Sequence, residues 1–345
     1  MINSHLTGPI VSADIHADFP LGELQDEVEV EVASDLEQRH VIVSSENHGN
    51  RLDKTLASQV PEFSRSYIQQ LIEAGEVLIG GCKGVKTSAK VKAGDNLSIT
   101  LRPTPQSQAY KPEKMALNIV YQDDHFMVID KPAGLVVHPA PGNWSGTLLN
   151  GLLAHDAQSS FMPRAGIVHR LDKDTSGLMV VARQRQVMDQ LVSMIAARLV
   201  RREYIAVGHG AWKGPTTRQV EVSIGRDPRN RLRMAVVDLD KNAGKTASTV
   251  ISLLDSAGKF CVVRCNLNTG RTHQIRVHMA YLGHILVSDE LYGGGIAGNL
   301  ERQALHACRL SFTHPTTGML MEFKSSLPAD MSGAIQTFGL RYNSQ

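Results

Sequence analysis

The chain is poor in cysteine, and the four it has, Cys82, Cys261, Cys265 and Cys308, follow no pairing pattern in 345 residues. That excludes a disulfide framework and predicts reduced thiols in a core. Cys261 and Cys265 bracket Val262-Val263 with no second cysteine pair, so a structural zinc site is excluded as well. No apolar run approaches the roughly 20 residues needed to cross a bilayer. The start of the chain lacks a basic stretch followed by an apolar one, so no secretory signal and a cytoplasmic location are expected. Fourteen histidines are present, but none forms a His-Glu-x-x-His helix or a Cys/His cluster, and no metal is expected. Gly293-Gly-Gly-Ile-Ala-Gly298 formally matches a dinucleotide fingerprint. However, Ser288–Tyr292 separates it from the preceding apolar run and no βαβ pattern surrounds it, so it reads as a loop.

Net charge is only +2, but the average hides an asymmetry. Residues 1–40 hold nine acids and one base, Arg39, which leaves 35 bases against 25 acids in the rest. An acidic, weakly apolar leader reads as a disordered tail over 1–44. The basic body behind it suggests a polyanionic partner such as nucleic acid.

Two helices are predicted next, Arg51–Ser58 and Arg65–Ala74, the second capped by Ser64 and ended by Gly75. Strand-like Val77–Ile79, a basic turn with Lys83, Lys86, Lys90 and Lys92, and a closing strand Asn96–Leu101 complete a unit over 45–102. Proline-punctuated 103–114 reads as a semi-extended linker. From 115 to 340 short apolar strands dominate: Ile119–Tyr121, Phe126–Ile129, Leu178–Ala182, Tyr204–Val207, Val220–Ile224, Ala247–Leu253 and Phe260–Leu267. Helices are expected at Leu148–Ala154, Val187–Arg198 and Pro328–Phe338, with two strands before the last. Strands joined by turns, with helices interspersed irregularly, predict an α+β domain around a mainly antiparallel sheet.

The most informative stretch is His169-Arg-Leu-Asp-Lys-Asp-Thr-Ser-Gly177, which runs into the apolar Leu178-Met-Val-Val-Ala182. Asp172 stands between Arg170 and Lys173, and neighbouring cations favour an ionised carboxylate. Taken alone, such a turn is as readily a surface loop whose charges pair with one another. Three further segments stand apart from it in sequence: Val128-Ile-Asp-Lys-Pro-Ala-Gly-Leu-Val-Val-His-Pro139, Arg202-Glu-Tyr-Ile-Ala206, and Leu267-Asn-Thr-Gly-Arg-Thr-His-Gln-Ile-Arg-Val-His-Met279. The last reads as a Gly270 turn followed by a helix whose first turn carries Arg271.

These four segments, in this order, resemble the RluA/RluD-type pseudouridine synthases. Arg51-Leu-Asp, Ser64-Arg-Ser, Leu71-Ile-Glu-Ala-Gly75, Val77 and Gly94-Asp95 resemble the S-four RNA-binding domain. Where that domain usually has Val-Asn-Gly, this chain has Ile79-Gly80-Gly81. The resemblance implies Asp172 as nucleophile, Tyr204 over the target base, where its ring can stack and its hydroxyl can handle a proton, and Arg271 paired with Asp172. It implies Arg51, Lys54, Arg65, Lys131, His169, Arg170, Arg202 and Arg276 as RNA-facing groups, with Lys131 serving either RNA or the local fold. Arg276, His273 and His278 read as structural or phosphate-facing. Isomerising uridine neither oxidises nor reduces anything, so no cofactor is expected. The implied substrate is large-subunit (23S) ribosomal RNA or its particles, bound by a monomer without an obligate protein partner or a membrane. The alternatives are transfer RNA as substrate, or a non-catalytic RNA-binding factor in ribosome assembly. One departure stands out: Gly283-His-Ile-Leu-Val-Ser-Asp-Glu290 replaces the family's Gly-His-Pro-Leu-Val-Gly-Asp-Pro, which should alter that turn's backbone.

Overall fold

The computed structural model describes residues 37–61, 64–83, 86–101, 109–140 and 142–343. They form two compact units, the larger beginning at Ala109.

The small unit contains β1 (Glu37–Ile42), α1 (Leu52–Gln59), α2 (Arg65–Glu73), β2 (Val77–Ile79) and β3 (Asn96–Leu101). Its antiparallel sheet has the order β1-β3-β2. The Ser64 hydroxyl accepts the Tyr67 N–H at 3.3 Å, so the cap is where the sequence puts it. Leu52 and Leu56 of α1, Ile68, Leu71 and Ile72 of α2, and Leu97, Ile99 and Leu101 of β3 form one apolar cluster. Fully burying each such side chain contributes about 1.5–3 kcal/mol. β1 corrects the reading of 1–44 as a disordered tail, because Glu37 through Ile42 pair with Leu101 through Asn96. The open face of this edge strand carries Gln38, His40 and Ile42, while Glu37 and Arg39 share the other face with half-buried Val41, so charge on the inner face and Ile42 on the outer one mask the strand signal. Residues 1–36 of that expected tail lie outside the described residues.

The linker is also shorter than its composition suggests. Residues 103–108 lie outside the described ones, but Ala109 is buried in the large unit. The Asn150 amide donates to the carbonyls of Ala109 (3.2 Å) and Lys111 (2.8 Å), and the Glu113 N–H donates back to the Asn150 carbonyl at 3.0 Å. A side chain from a distant helix thus binds the chain that sequence alone reads as free.

The large unit is built on one ten-stranded sheet. Its strands are β4 (Ile119–Gln122), β5 (Phe126–Lys131), β6 (Ser176–Ala182), β7 (Arg201–His209), β8 (Thr217–Arg226), β9 (Met234–Val236), β10 (Gly244–Ala257), β11 (Phe260–Leu267), β12 (Leu305–Thr313) and β13 (Leu320–Lys324). The spatial order is β4-β5-β6-β12-β7-β11-β10-β8-β9, with β13 added to β12. Every pairing is antiparallel except β6 with β12, so the expected α+β class with a mainly antiparallel sheet holds. Helices α3 (Leu148–His155), α4 (Arg185–Ala196), α5 (Gln274–Tyr281) and α6 (Ala329–Thr337) pack on it.

β5 and β6 are covered on both faces. Phe126, Val128, Leu178 and Val180 pack with Val187 and Leu191 of α4, while Met127, Ile129, Met179 and Val181 pack with Leu148 and Leu152 of α3. Two-sided burial explains why Leu178–Ala182 is a continuous apolar run rather than an alternating one. Gly177 at the start of this strand has φ +114°, and a Cβ there would lie 2.3 Å from the Ala307 carbonyl oxygen. Only glycine lets β12 approach β6 this closely, which gives the last residue of the motif a structural cause.

Candidate active site

Asp172 occupies the turn that delivers the chain to β6. Leu171 before it is buried in the core shared by α3 and β7, and the Thr175 N–H donates to the Asp172 carbonyl at 3.1 Å. Lys131, at the end of β5, is fully buried. Its ammonium donates to the carbonyls of Pro132 (2.8 Å), Leu135 (2.9 Å) and Lys173 (2.9 Å). It therefore staples the Asp172 turn to the neighbouring strand. Of the two roles expected for it, RNA contact or local fold, this rules out the RNA-facing one, since three carbonyls consume its donors. Burial pushes that ammonium down to about 8.

His169 is corrected on similar grounds. Its Nε2 accepts the Val180 N–H at 3.1 Å, and burial pushes the ring down to about 3, with Arg202 adding to the effect. It borders the cavity as a neutral acceptor rather than as a phosphate-binding cation.

The segment from Leu267 to Met279 folds differently from its expected helix. α5 begins at Gln274, preceded by His273 at φ 56° in the left-handed region. The Gln274 side-chain carbonyl accepts from the Arg271 N–H (3.0 Å) and the Thr269 hydroxyl (2.6 Å), while its amide donates to Thr249 Oγ1 at 2.8 Å. Arg271 therefore lies in the loop before the helix, and its Nε donates to the Thr246 carbonyl at 3.2 Å. Gly270 has no positive φ. A Cβ there would instead meet the Arg202 guanidinium, so glycine makes room for a cation rather than for a turn.

Helix α5 instead presents Arg276 to the carboxylate. Arg276 Nη1 donates to Asp172 Oδ2 at 3.2 Å, and His273 Nε2 stands 3.9 Å from the same oxygen. The expected Arg271–Asp172 pair is thus corrected to Arg276–Asp172, because helix entry three residues later turns position 276 inward. With its side chain only 7 % exposed, Arg276 reaches the cavity wall and not a surface where an RNA backbone could lie. Its Nε and Nη2 donate to the two oxygens of Asp289, each at 2.7 Å, and its Cζ lies 4.9 Å from the Tyr292 ring centroid. The Asp289 bonds and the Asp172 charge raise the Arg276 pKa despite burial. Sequence reasoning missed Asp289 and Tyr292. The one available signal was that Asp289 persists where Ile285, Ser288 and Glu290 depart from the family. Ser288 itself has φ 59°, the region glycine would occupy, and its hydroxyl donates to the Leu300 carbonyl at 2.7 Å. At that residue the departure keeps a glycine-like backbone.

Strand alternation places Arg202 and Tyr204 on one face of β7, both buried, with Glu203 on the other, where Arg264 Nε lies 3.1 Å from its carboxylate. Arg202 Nε is buried without a hydrogen-bond partner among the described residues, so Arg202 is a cavity cation rather than a surface one. Burial pushes the Tyr204 hydroxyl up to about 12; Arg202 opposes this and the Asp172 charge adds to it. Asp172, Tyr204, Arg202, Arg271 and His273 line a cavity of about 510 Å³, together with the apolar Leu267, Ile275 and Leu305 and the exposed Arg170. A cavity of this size, lined by both polar and apolar side chains, suits a nucleotide base.

In the small unit, Asp53 is fully buried and accepts from Arg51, Arg65 and Gln69. The Arg51 bond, the largest cause, holds its carboxyl far below the usual range. Both arginines remain about half exposed, and Lys54 is exposed outright, so the three cations share an ordered, accessible face. Among the described residues no group of ligands could hold a metal ion.

A family model described as RNA pseudouridylate synthase matches residues 125–281, and an S4 domain model matches residues 50–97. The ribosomal large subunit pseudouridine synthase D of Neisseria meningitidis serogroup B is 45% identical over 321 residues, covering 90% of this chain and 84% of that protein. The chain belongs to the RNA pseudouridine synthase family. An uncharacterized RNA pseudouridine synthase of Bacillus subtilis, YlyB, is 41% identical over 87% of this chain and 98% of its own length. The solved structure of human RNA pseudouridylate synthase domain containing 1 superposes with a TM-score of 0.50 at 25% identity, covering 62% of this chain and 84% of that one. The chain is therefore an isomerase acting on RNA, and the non-catalytic alternative is set aside.

Proposed function

We propose that this synthase converts specific uridines of large-subunit (23S) ribosomal RNA to pseudouridine, with Asp172 as nucleophile, as a cytoplasmic monomer. The observation that carries the reading is the Asp172 carboxylate, held by Arg276 at 3.2 Å in a base-sized cavity that also holds Tyr204. The names of the relatives support the ribosomal substrate. A basic, partly exposed face on the S4 domain supports an RNA backbone contact. That no helix of the described residues is long and apolar enough to cross a membrane is compatible with the location.

In the reaction the bond between ribose C1′ and uracil N1 breaks, the base turns, and C5 bonds to C1′. The C5 proton leaves and N1 ends protonated, so atoms balance without a redox partner. Asp172 supplies the electron pair, by attack on the substrate or by stabilising the sugar cation. Arg276 keeps it anionic and aimed. Tyr204 stacks on the base through its ring, and the apolar side chains retain uracil while it is detached. A uridine in a stack must be flipped out first, at a few kcal/mol.

The test is a map of pseudouridines in ribosomal and transfer RNA from cells with and without the gene. Loss confined to large-subunit ribosomal RNA supports the reading. Loss confined to transfer RNA would refute the substrate assignment.

A further inference from the structure

Arg276 has five N–H donors in a rigid fork, and only one is used on Asp172. Asp289, whose side chain is 1 % exposed, takes Nε and Nη2 at 2.7 Å each, so Nη1 is the end left to face Asp172. The Tyr292 ring lies 4.9 Å from Cζ of the same guanidinium. Tyr292 does a second thing through its hydroxyl. It accepts the Met234 N–H at 2.9 Å, and it lies 2.9 Å from His273 Nδ1. The hydroxyl proton is then free for Nδ1. An imidazole accepting at Nδ1 carries its own proton on Nε2, the nitrogen 3.9 Å from Asp172. Burial lowers the His273 pKa, which favours that neutral ring, and burial pushes the Tyr292 hydroxyl up to about 12, so it keeps its proton. Asp172 thus faces two N–H donors, and neither direction is set by Asp172 itself.

We propose that Asp289 and Tyr292 are positioning residues for the nucleophile: Asp289 locks the Arg276 fork so that one donor reaches Asp172, and Tyr292 fixes His273 as the Nε2–H tautomer facing the same carboxylate. The proposal rests on Asp172 being the nucleophile. Neither residue lines the cavity. Without the Asp289 charge, the nearest acid for the buried guanidinium is Asp172, and the fork is free to swing onto it with two donors. That shifts the carboxylate from its line of attack. Among the described residues β9, which supplies the Met234 N–H, pairs only with β8, and the turn between them carries Arg229 and Arg231. Tyr292 therefore also ties that hairpin to the site.

The test uses the full chain and large-subunit ribosomal RNA. Asp289→Asn should lower the single-turnover rate at saturating RNA about 100-fold, the cost of a misplaced reacting group, with RNA affinity within twofold of the parent. Tyr292→Phe keeps the ring and removes one hydroxyl, and should lower the same rate by up to about tenfold, one hydrogen bond's worth. Separately, ¹⁵N-histidine NMR of the RNA-free protein should show His273 protonated at Nε2 in the parent, and a mixture of tautomers in Tyr292→Phe. Rates within twofold of the parent in both variants overturn the proposal. So does a His273 ring protonated at Nδ1 in the parent, or one whose tautomer ignores Tyr292→Phe. If the parent protein makes no pseudouridine, the function reading fails instead, while the tautomer measurement still decides the role of Tyr292. Should Asp289→Asn not fold, Tyr292→Phe decides alone.

Discussion

At the scale of single residues, the two arginines of the 267–279 segment separate position from charge. Arg271 and Arg276 are five apart, and both line the cavity. Only Arg276 is buried between two carboxylates. Arg276→Ala leaves Asp289 buried without its cation, so it should lower stability by about 3–5 kcal/mol. It should also abolish nearly all turnover. Arg271→Ala removes one bond to a carbonyl from a partly exposed side chain, so its stability should stay within about 0.5 kcal/mol of the parent. Its loss should fall on RNA binding rather than on the chemical step. Denaturant melts and single-turnover rates on the two variants check this. Equal losses of rate at saturating RNA would contradict the assignment. The motif by itself holds two aspartates, Asp172 and Asp174, among cations, and only the family resemblance singled out Asp172. Which arginine meets it was not legible in the sequence, since that depends on where α5 starts. The left-handed His273 that sets the start has no signature in composition or spacing.

At the scale of elements, β5 to β7, β10, β11, α2, α3 and α4 were readable from apolar runs and helical periodicity, with ends shifted by a few residues. Two stretches that escaped have partners far away in the chain. β1 is one: Glu37, Arg39 and His40 disguise it, and only pairing with β3 about sixty residues later reveals it. The ordered stretch 109–114 is another, held by Asn150 of α3 and by the Gly146 N–H, which donates to the Glu113 carboxylate. β1 covers the edge of β3, whose Leu97, Ile99 and Leu101 anchor the small core. A chain beginning at residue 44 should therefore lose the cooperative melt of its S4 domain, whereas one beginning at residue 36 should keep it. Hydrogen exchange at the β3 amides is the measurement, and unchanged protection in the shorter chain would show that β1 contributes nothing.

For the whole molecule, the sheet face that holds the site also buries histidines. His169 is pushed down to about 3, and His138 and His278 each to about 4, by burial in every case, with nearby arginines adding to it for His138 and His169. Their folded values lie below the ordinary value near 6.5, so the unfolded chain takes up protons first as pH falls. Their stabilisation is therefore complete above about pH 6.5 and is lost progressively towards pH 3–4. Each contributes a slope of up to about 1.4 kcal/mol per pH unit. The melting temperature should fall steadily from pH 7 to pH 5, before ordinary carboxylates titrate. His169→Gln, whose amide oxygen can accept the Val180 N–H, should flatten that slope. A melting temperature constant over this range would refute the account of these rings. Which histidines are desolvated is invisible in sequence, where fourteen histidines look alike.

All of these scales meet in Asp172. The most direct test follows release of tritium from carbon 5 of labelled uridine in large-subunit ribosomal RNA, comparing the parent with Asp172→Asn, an isosteric change that keeps the turn and removes only the charge. The account predicts release by the parent, none above background by Asp172→Asn, and the same melting temperature and RNA affinity within twofold for both. Release by the asparagine variant at a rate near that of the parent would contradict it.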